Sequence, residues 1–289
     1  MRKHILIALA TLWLAGFCSG FLVKQYIAQE TPKSLKVFWG SASKLPAVEI
    51  IKAFENATNI RVEATFGGAG PLLSALELSR SGDLYLGVGT LYEIETALKK
   101  NLVDSSSLRV IAYLVPAIIV QKGNPKNITV LEDLARPDVK LCLTDPSYGV
   151  GLFVKKLLEH NNLWSRIEGK FVQAKSGEDA VANVILGVVD ATLSWHVFYY
   201  WNRDKVDIVW IESSRIPEVS AIPAAITVYC KDKLLSQIFL DFVTNSNASR
   251  DIFAKYGYVA SADQGSKFTP YSEDQWRRWI KVAQEKLKA

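Results

Sequence analysis

The chain has 289 residues, 49% of them hydrophobic and 22% charged, with 17 Gly and 10 Pro. This is globular composition, and it excludes a disordered, collagenous or polytopic membrane protein. The net charge is +5, and Arg2, Lys3, Lys24 and Lys33 against Glu30 place three of those units before residue 34, so the near-neutral body offers nucleic acid no electrostatic footprint.

Arg2, Lys3 and His4 precede an apolar run over 5–23 that Lys24 closes. A basic start followed by an apolar run is the pattern of a secretory signal, and this run is also near the length that spans a bilayer as a helix. Residues 1–33 are therefore expected to be a signal peptide or an N-terminal membrane anchor, with the rest of the chain extracytoplasmic. Leu14-Ala15-Gly16-Phe17-Cys18 is close to a lipoprotein box except for Phe17 before the Cys, which leaves lipidation of Cys18 open. The other cysteines, Cys142 and Cys230, sit in apolar β-like runs with no metal-ligand spacing and are expected to be buried free thiols.

From residue 35 short strands and helices alternate. Residues 35–39 form an apolar strand, and 46–56 have helical spacing, with Val48, Ile51 and Phe54 three apart and Pro46 near the start. A strand follows over 60–66, a helix over 71–81, a strand over 84–88 and a helix over 92–100. Residues 113–121 form a longer apolar run that stops at Lys122-Gly123-Asn124-Pro125, a turn signal. Alternation then resumes with strands over 139–143, 170–173 and 190–194, and with helices over 151–160 and 177–186. Strands over 206–211 and 221–230 and helices over 233–244 and 248–255 complete the body.

Strict alternation predicts an α/β protein with mostly parallel sheets flanked by helices. Two such units joined by long strands fit two lobes with a cleft between them. The division expected is residues 34–113 plus 220–270 for a discontinuous first lobe and 114–219 for the second. Residues 271–289 form an amphipathic C-terminal helix, with Trp276, Trp279, Ile280, Ala283 and Leu287 on one face. That face either docks on the body or meets a membrane surface or partner.

Small residues precede the helices: Gly40-Ser41-Ala42-Ser43, Gly67-Gly68-Ala69-Gly70, Ser147-Tyr148-Gly149-Val150-Gly151 and Ser176-Gly177. In an α/β sheet such loops leave the carboxyl ends of strands, where ligands bind. Helix N-termini present free N–H groups and the positive end of the macrodipole. Several of them facing one cleft can hold a dianion with neutral donors and no Arg or Lys.

The order of these segments resembles the periplasmic molybdate/tungstate-binding proteins of ABC importers. The matching pieces are Val37-Phe38 with Ser41-Ala42-Ser43, Ala53-Phe54-Glu55, Phe66-Gly67-Gly68-Ala69-Gly70 and Gly82-Asp83-Leu84-Tyr85. Further along come Lys122-Gly123-Asn124-Pro125, Leu131-Glu132-Asp133-Leu134-Ala135, Asp145-Pro146, Ala180 and Ile252-Phe253-Ala254-Lys255-Tyr256-Gly257-Tyr258. The resemblance implies a two-lobed type II periplasmic-binding fold. It also implies a solute-binding subunit that closes over a tetrahedral oxyanion and delivers it to a membrane permease, with no cofactor and no catalysis. Carried over by position, the ligand would meet Ser41 or Ser43, Gly68, Ala69 and Gly70, Val150 and Gly151, Gly177, and Trp195 with His196. Three departures stand out. Ala69 replaces a usual Ser, His196 falls at a usual Tyr, and Gly87-Val88-Gly89 replaces a frequent Ala-Asp.

His196 is either a ligand donor or a satisfied structural histidine. The stretch Ser194-Trp195-His196-Val197-Phe198-Tyr199-Tyr200-Trp201 also carries paired tyrosines, as ferric-ion-binding proteins of the same fold do. A ferric site at His196, Tyr199 and Tyr200 is thus a second reading, although adjacent residues on a helix diverge. A third is a tethered sensor or interaction protein without a small ligand. His196 is the sole histidine of the two α/β cores apart from His160, so a Ser–His–acid triad has little to draw on, and no zinc or Walker motif occurs.

Overall fold

The computed structural model describes residues 34–288 apart from Val88 and Tyr148; the export segment expected over 1–33, with Cys18, lies outside the described residues. Strand β1 (Ser34–Gly40) alternates between core and surface, sending Leu35, Val37 and Trp39 inward. Helix α1 (Lys44–Thr58) buries Pro46, Ala47, Ile50 and Phe54, one stripe at helical spacing. It stops at Asn59, which takes the left-handed conformation (φ 57°) and donates its N–H to the Glu55 carbonyl at 2.8 Å.

Strand β2 (Arg61–Gly67), α2 (Ala69–Ser79), β3 (Leu84–Leu86) and α3 (Leu91–Lys99) continue the alternation. Then β4 (Arg109–Leu114) ends, and β5 (Pro116–Gln121) begins after a single residue, Val115. The apolar run over 113–121 is therefore split between two sheets. The second part holds β6 (Leu141–Thr144), α4 (Gly149–His160), α5 (Trp164–Ile167), β7 (Phe171–Ala174), α6 (Gly177–Ile185), β8 (Ala191–Trp195), α7 (Val197–Trp201) and β9 (Val206–Trp210). Strand β10 (Ser220–Ile226) brings the chain back to the first sheet, and α8 (Lys233–Asn245), α9 (Asn247–Lys255), α10 (Ala262–Phe268) and α11 (Glu273–Lys288) follow.

The two five-stranded sheets have the orders β2-β1-β3-β10-β4 and β7-β6-β8-β5-β9. Both are mixed. β1 runs parallel to β3, and β6 parallel to β7 and β8. The strands that carry the chain across between sheets pair antiparallel: β10 with β3 and β4, and β5 with β8 and β9. A crossing strand enters its sheet from the opposite end to the strands that alternate with helices, so its direction is reversed.

One hydrophobic core runs through both sheets, and a smaller one built on Leu72, Leu76, Tyr85 and Ile94 lies under α2 and α3. The amphipathic face of α11 is covered by the body. Trp276, Trp279 and Ala283 are buried, and the Trp276 indole donates to Thr269 Oγ1 at 2.8 Å. Tyr271 Oη donates to the Ile211 carbonyl just beyond β9 at 2.6 Å, and Gln284 Nε2 donates to Tyr113 Oη on β4 at 3.2 Å. Cys142 is buried and Cys230 half-buried, and both are free.

Candidate functional site

The loops that leave the carboxyl ends of β1, β2, β6 and β7 converge on one small cavity between the sheets. Its volume is about 40 Å³, and Ser41, Ala42, Gly68 and Ala69 border it on the first-sheet side. On the second-sheet side it is lined by Thr144, Gly149, Val150, Lys175, Ser176, Gly177, Trp195 and Phe198. None of these described residues is acidic. The first N–H groups of a helix have no partner inside it, so the starts of α2, α4 and α6 bring unpaired donors and dipole-positive ends to one space.

Each helix start is held by its local sequence. At α2 the N-cap is Gly68, whose lack of a side chain leaves the first N–H groups uncapped. At α6 the Ser176 hydroxyl accepts only from Asp179 N at 3.1 Å, so the N–H groups of Gly177 and Glu178 stay uncapped by that side chain. Glycine is required at two of these positions by close approach. A Cβ on Gly151 would stand 1.9 Å from the Asp145 carbonyl oxygen. One on Gly177 would stand 2.8 Å from the Phe198 ring and 2.9 Å from Ser194 Oγ. The helices are thereby pulled onto the strand ends and the ring beneath them.

Two buried polar groups nearby have no hydrogen-bond partner among the described residues: Ser194 Oγ, below Gly177, and Trp195 Nε1, next to Gly89. The half-buried Ser41 hydroxyl bonds no described residue either. A buried donor without a partner is costly unless a ligand or water meets it.

A profile of bacterial extracellular solute-binding proteins matches residues 35–259. The chain belongs to the bacterial extracellular solute-binding protein family. This is a family of binding proteins of ABC importers, and it places the chain's work outside the cytoplasm. A relative in Haemophilus influenzae, named only as a binding protein, is 26% identical over 177 residues, 61% of this chain and 71% of its own. Among solved structures, the periplasmic molybdate-binding protein of Azotobacter vinelandii matches with a TM-score of 0.67 at 16% identity, over 78% of this chain and 98% of its own. The sulfate-binding protein SubI of Mycobacterium tuberculosis matches with a TM-score of 0.71 at 17% identity, over 82% and 92%. At these identities the likeness shows the fold, a type II periplasmic-binding fold with two lobes.

In this solute-binding protein, six of the residues singled out from the sequence line the cavity: Ser41, Gly68, Ala69, Val150, Gly177 and Trp195. Gly70 and Gly151 lie one residue further into α2 and α4 and are not part of the lining. Ser43 is placed differently. It is fully buried, its Oγ accepts from Trp39 Nε1 at 2.9 Å, and its hydroxyl faces the Gly40 carbonyl at 3.3 Å. Trp39 goes with it into the first-lobe core, packed edge-on against Phe239.

His196 does not reach the cavity. It is wholly buried, its Nδ1 accepts from Val115 N at 3.3 Å, and its Nε2 lies 2.9 Å from the Gly257 carbonyl. Since Nδ1 accepts, Nε2 carries the proton and donates. Burial pushes its pKa down to about 4, against the opposing pull of those two backbone bonds, so the ring is neutral at pH 7. Both nitrogens are used, which leaves none for a metal. Tyr200 donates its hydroxyl to the Phe268 carbonyl and stacks edge-on with Tyr199, and neither lines the cavity. Among the described residues no group of three or more His, Cys, Asp or Glu gathers in a way that could hold a metal ion.

Ala42, Gly149 and Ser176 belong to the loops the sequence marked, although no contact was assigned to them, whereas Thr144, Lys175 and Phe198 were passed over. Thr144 ends β6 and Lys175 directly follows β7, so the rule that ligands sit at strand carboxyl ends could have found both. Phe198 carried no such signal, since it faces the cavity from α7 beneath Gly177. A second hollow of about 110 Å³ near α11 is lined by Glu95 and Glu218 as well as Lys156 and Lys286. Its charges balance, and Lys286 already pairs with Glu218, so it gives no preference to an anion.

Proposed function

We propose that this solute-binding protein captures a tetrahedral oxyanion, molybdate or tungstate first among them, and hands it to the permease of an ABC importer. The observation that carries this reading is a cavity bordered by uncapped helix starts from both sheets, with no carboxylate among its described lining residues. Such a site favours negative charge and offers nothing to neutralise a cation. The ligand contacts are assigned to Ser41, the backbone N–H groups of Ala69, Val150 and Gly177, and the Trp195 indole.

In this reading residues 34–113 with 220–270 form one lobe and 114–219 the other. They close by a hinge at Val115 and at the return segment between β9 and β10. Residues 1–33 export the chain, and retention of that segment would tether it to the membrane. The ferric reading is disfavoured by the engaged His196 and Tyr200 and by the lack of anionic ligands among the cavity's described lining residues.

Titration calorimetry with molybdate, tungstate, sulfate, phosphate and ferric citrate tests the proposal. Tight binding of one or more of the tetrahedral dianions is the expected result. Ferric binding with a visible charge-transfer band, or silence across the panel, would refute it.

A further inference from the structure

A cavity built only from backbone N–H groups, hydroxyls and an indole recognises shape and hydrogen-bond acceptors. Its helix starts supply only partial positive charge. This cavity has one addition: Lys175 is the sole charged side chain among its described lining residues. Lys175 also borders a wider groove of about 630 Å³ that shares Ser41, Gly68 and Ser176 with the cavity. It lies on the short link between β7 and α6, directly before the N-cap Ser176. Its side chain is exposed and forms no ion pair with a described residue, so no described carboxylate cancels its charge.

An anion in the groove and one in the cavity would both lie beside this side chain. The four-carbon stem lets the ammonium follow the ligand rather than fix its position. We infer that Lys175 is the charge-selecting residue of the site, giving tetrahedral dianions preference over monoanions of the same shape. This inference rests on the oxyanion reading above. The physics fixes a ratio. A unit charge attracts a dianion twice as strongly as a monoanion at the same distance. Its removal must therefore cost the dianion the square of the factor that it costs the monoanion.

Molybdate and perrhenate supply the pair, both tetrahedral, one a dianion and the other a monoanion at pH 7.5. The full chain is compared with Lys175→Met, which keeps the stem and removes the charge, and with Lys175→Arg, which restores a cation. Molybdate affinity is measured by calorimetry from low to physiological salt, and perrhenate by competition so that weak binding is still read. In low salt Lys175→Met is expected to weaken molybdate about tenfold and perrhenate about threefold, and to flatten the salt dependence for molybdate, with Lys175→Arg close to the parent. If the parent binds molybdate while Lys175→Met loses nothing, or loses the same factor for both ions, this inference falls and the oxyanion reading stands. If the parent binds neither ion, both fall.

Discussion

Ser41 and Ser43 stand two positions apart in the turn after β1, and the backbone gives them opposite surroundings. The Ser41 hydroxyl borders the cavity, whereas the Ser43 hydroxyl is the acceptor for the Trp39 indole inside the core. Ser41→Ala is therefore expected to weaken oxyanion binding by about 1–3 kcal/mol, the cost of an unmet charged hydrogen bond, with an unchanged urea midpoint. Ser43→Ala should do the reverse, costing about 1–3 kcal/mol of stability by stranding a buried N–H while affinity holds. Calorimetry and urea unfolding on the same two variants separate these outcomes; a swapped result would move the site. His196 supplies a pH signature. Native His196 stays neutral to about pH 4, whereas the unfolded ring protonates near the ordinary histidine value of 6.5. Between those values the unfolded state binds a proton that the native state refuses. The contribution is thus fully present above pH 6.5, shrinks as pH falls and is lost by about pH 4, and amounts to at most about 3 kcal/mol. Urea midpoints from pH 7 to 4.5 should fall accordingly, and His196→Asn should flatten that slope.

Elements were legible in the sequence wherever a periodic apolar pattern was paired with a start signal. In α1 the three-residue spacing of Val48, Ile51 and Phe54 announced the helix but not its buried face: Phe54 is buried, Val48 is exposed, and Ile50 takes the inward position. The failures have physical causes. The run is apolar from Tyr113 to Val120 because it joins the end of one interior strand to the next, and nothing in its hydropathy marks Val115 as the place where the chain changes sheet. Helix α7 is five residues, too short for a period, and its aromatic sequence suits a strand as well. The cavity was legible through its glycines and strand ends. Serine could not be assigned between 41 and 43 because one residue of turn geometry decides which hydroxyl faces outward. Helix α11 carried the clearest amphipathic pattern, and its apolar face meets the body rather than solvent. Trp276 is fully buried against Trp279 with its indole bonded to Thr269, so Trp276→Ala should cost about 3–5 kcal/mol of stability. Chemical unfolding measures this; a loss below about 1 kcal/mol would mean that the helix is held weakly and its apolar face is available to another surface.

At the scale of the molecule the question is how two sheets sharing one core can move. Covalent links between them are few: Val115 on the outward path and residues 211–219 on the return. His196 bonds the backbone of Val115 and that of Gly257, and β4 bridges to Val259 through Tyr113, so the crossing at Val115 is tied to the segment after α9. In the closure proposed above, rotation about this crossing would bring the two lobes together over a bound ligand. Trp195 ends β8 at the cavity and packs at 4.7 Å on Phe153, whereas Trp39 is enclosed in the first-lobe core. Ligand capture should therefore change tryptophan fluorescence through Trp195, and Trp195→Phe should remove most of that change while Trp39→Phe preserves it. The same binding must stabilise the fold by mass action, by about 2.7 kcal/mol at a free ligand concentration one hundred times Kd. A ligand that stabilises the fold by this amount yet leaves Trp195 emission unaltered would show that it is held away from the convergent helix starts. That outcome would separate the binding event from the cavity without disturbing the assignment of the family.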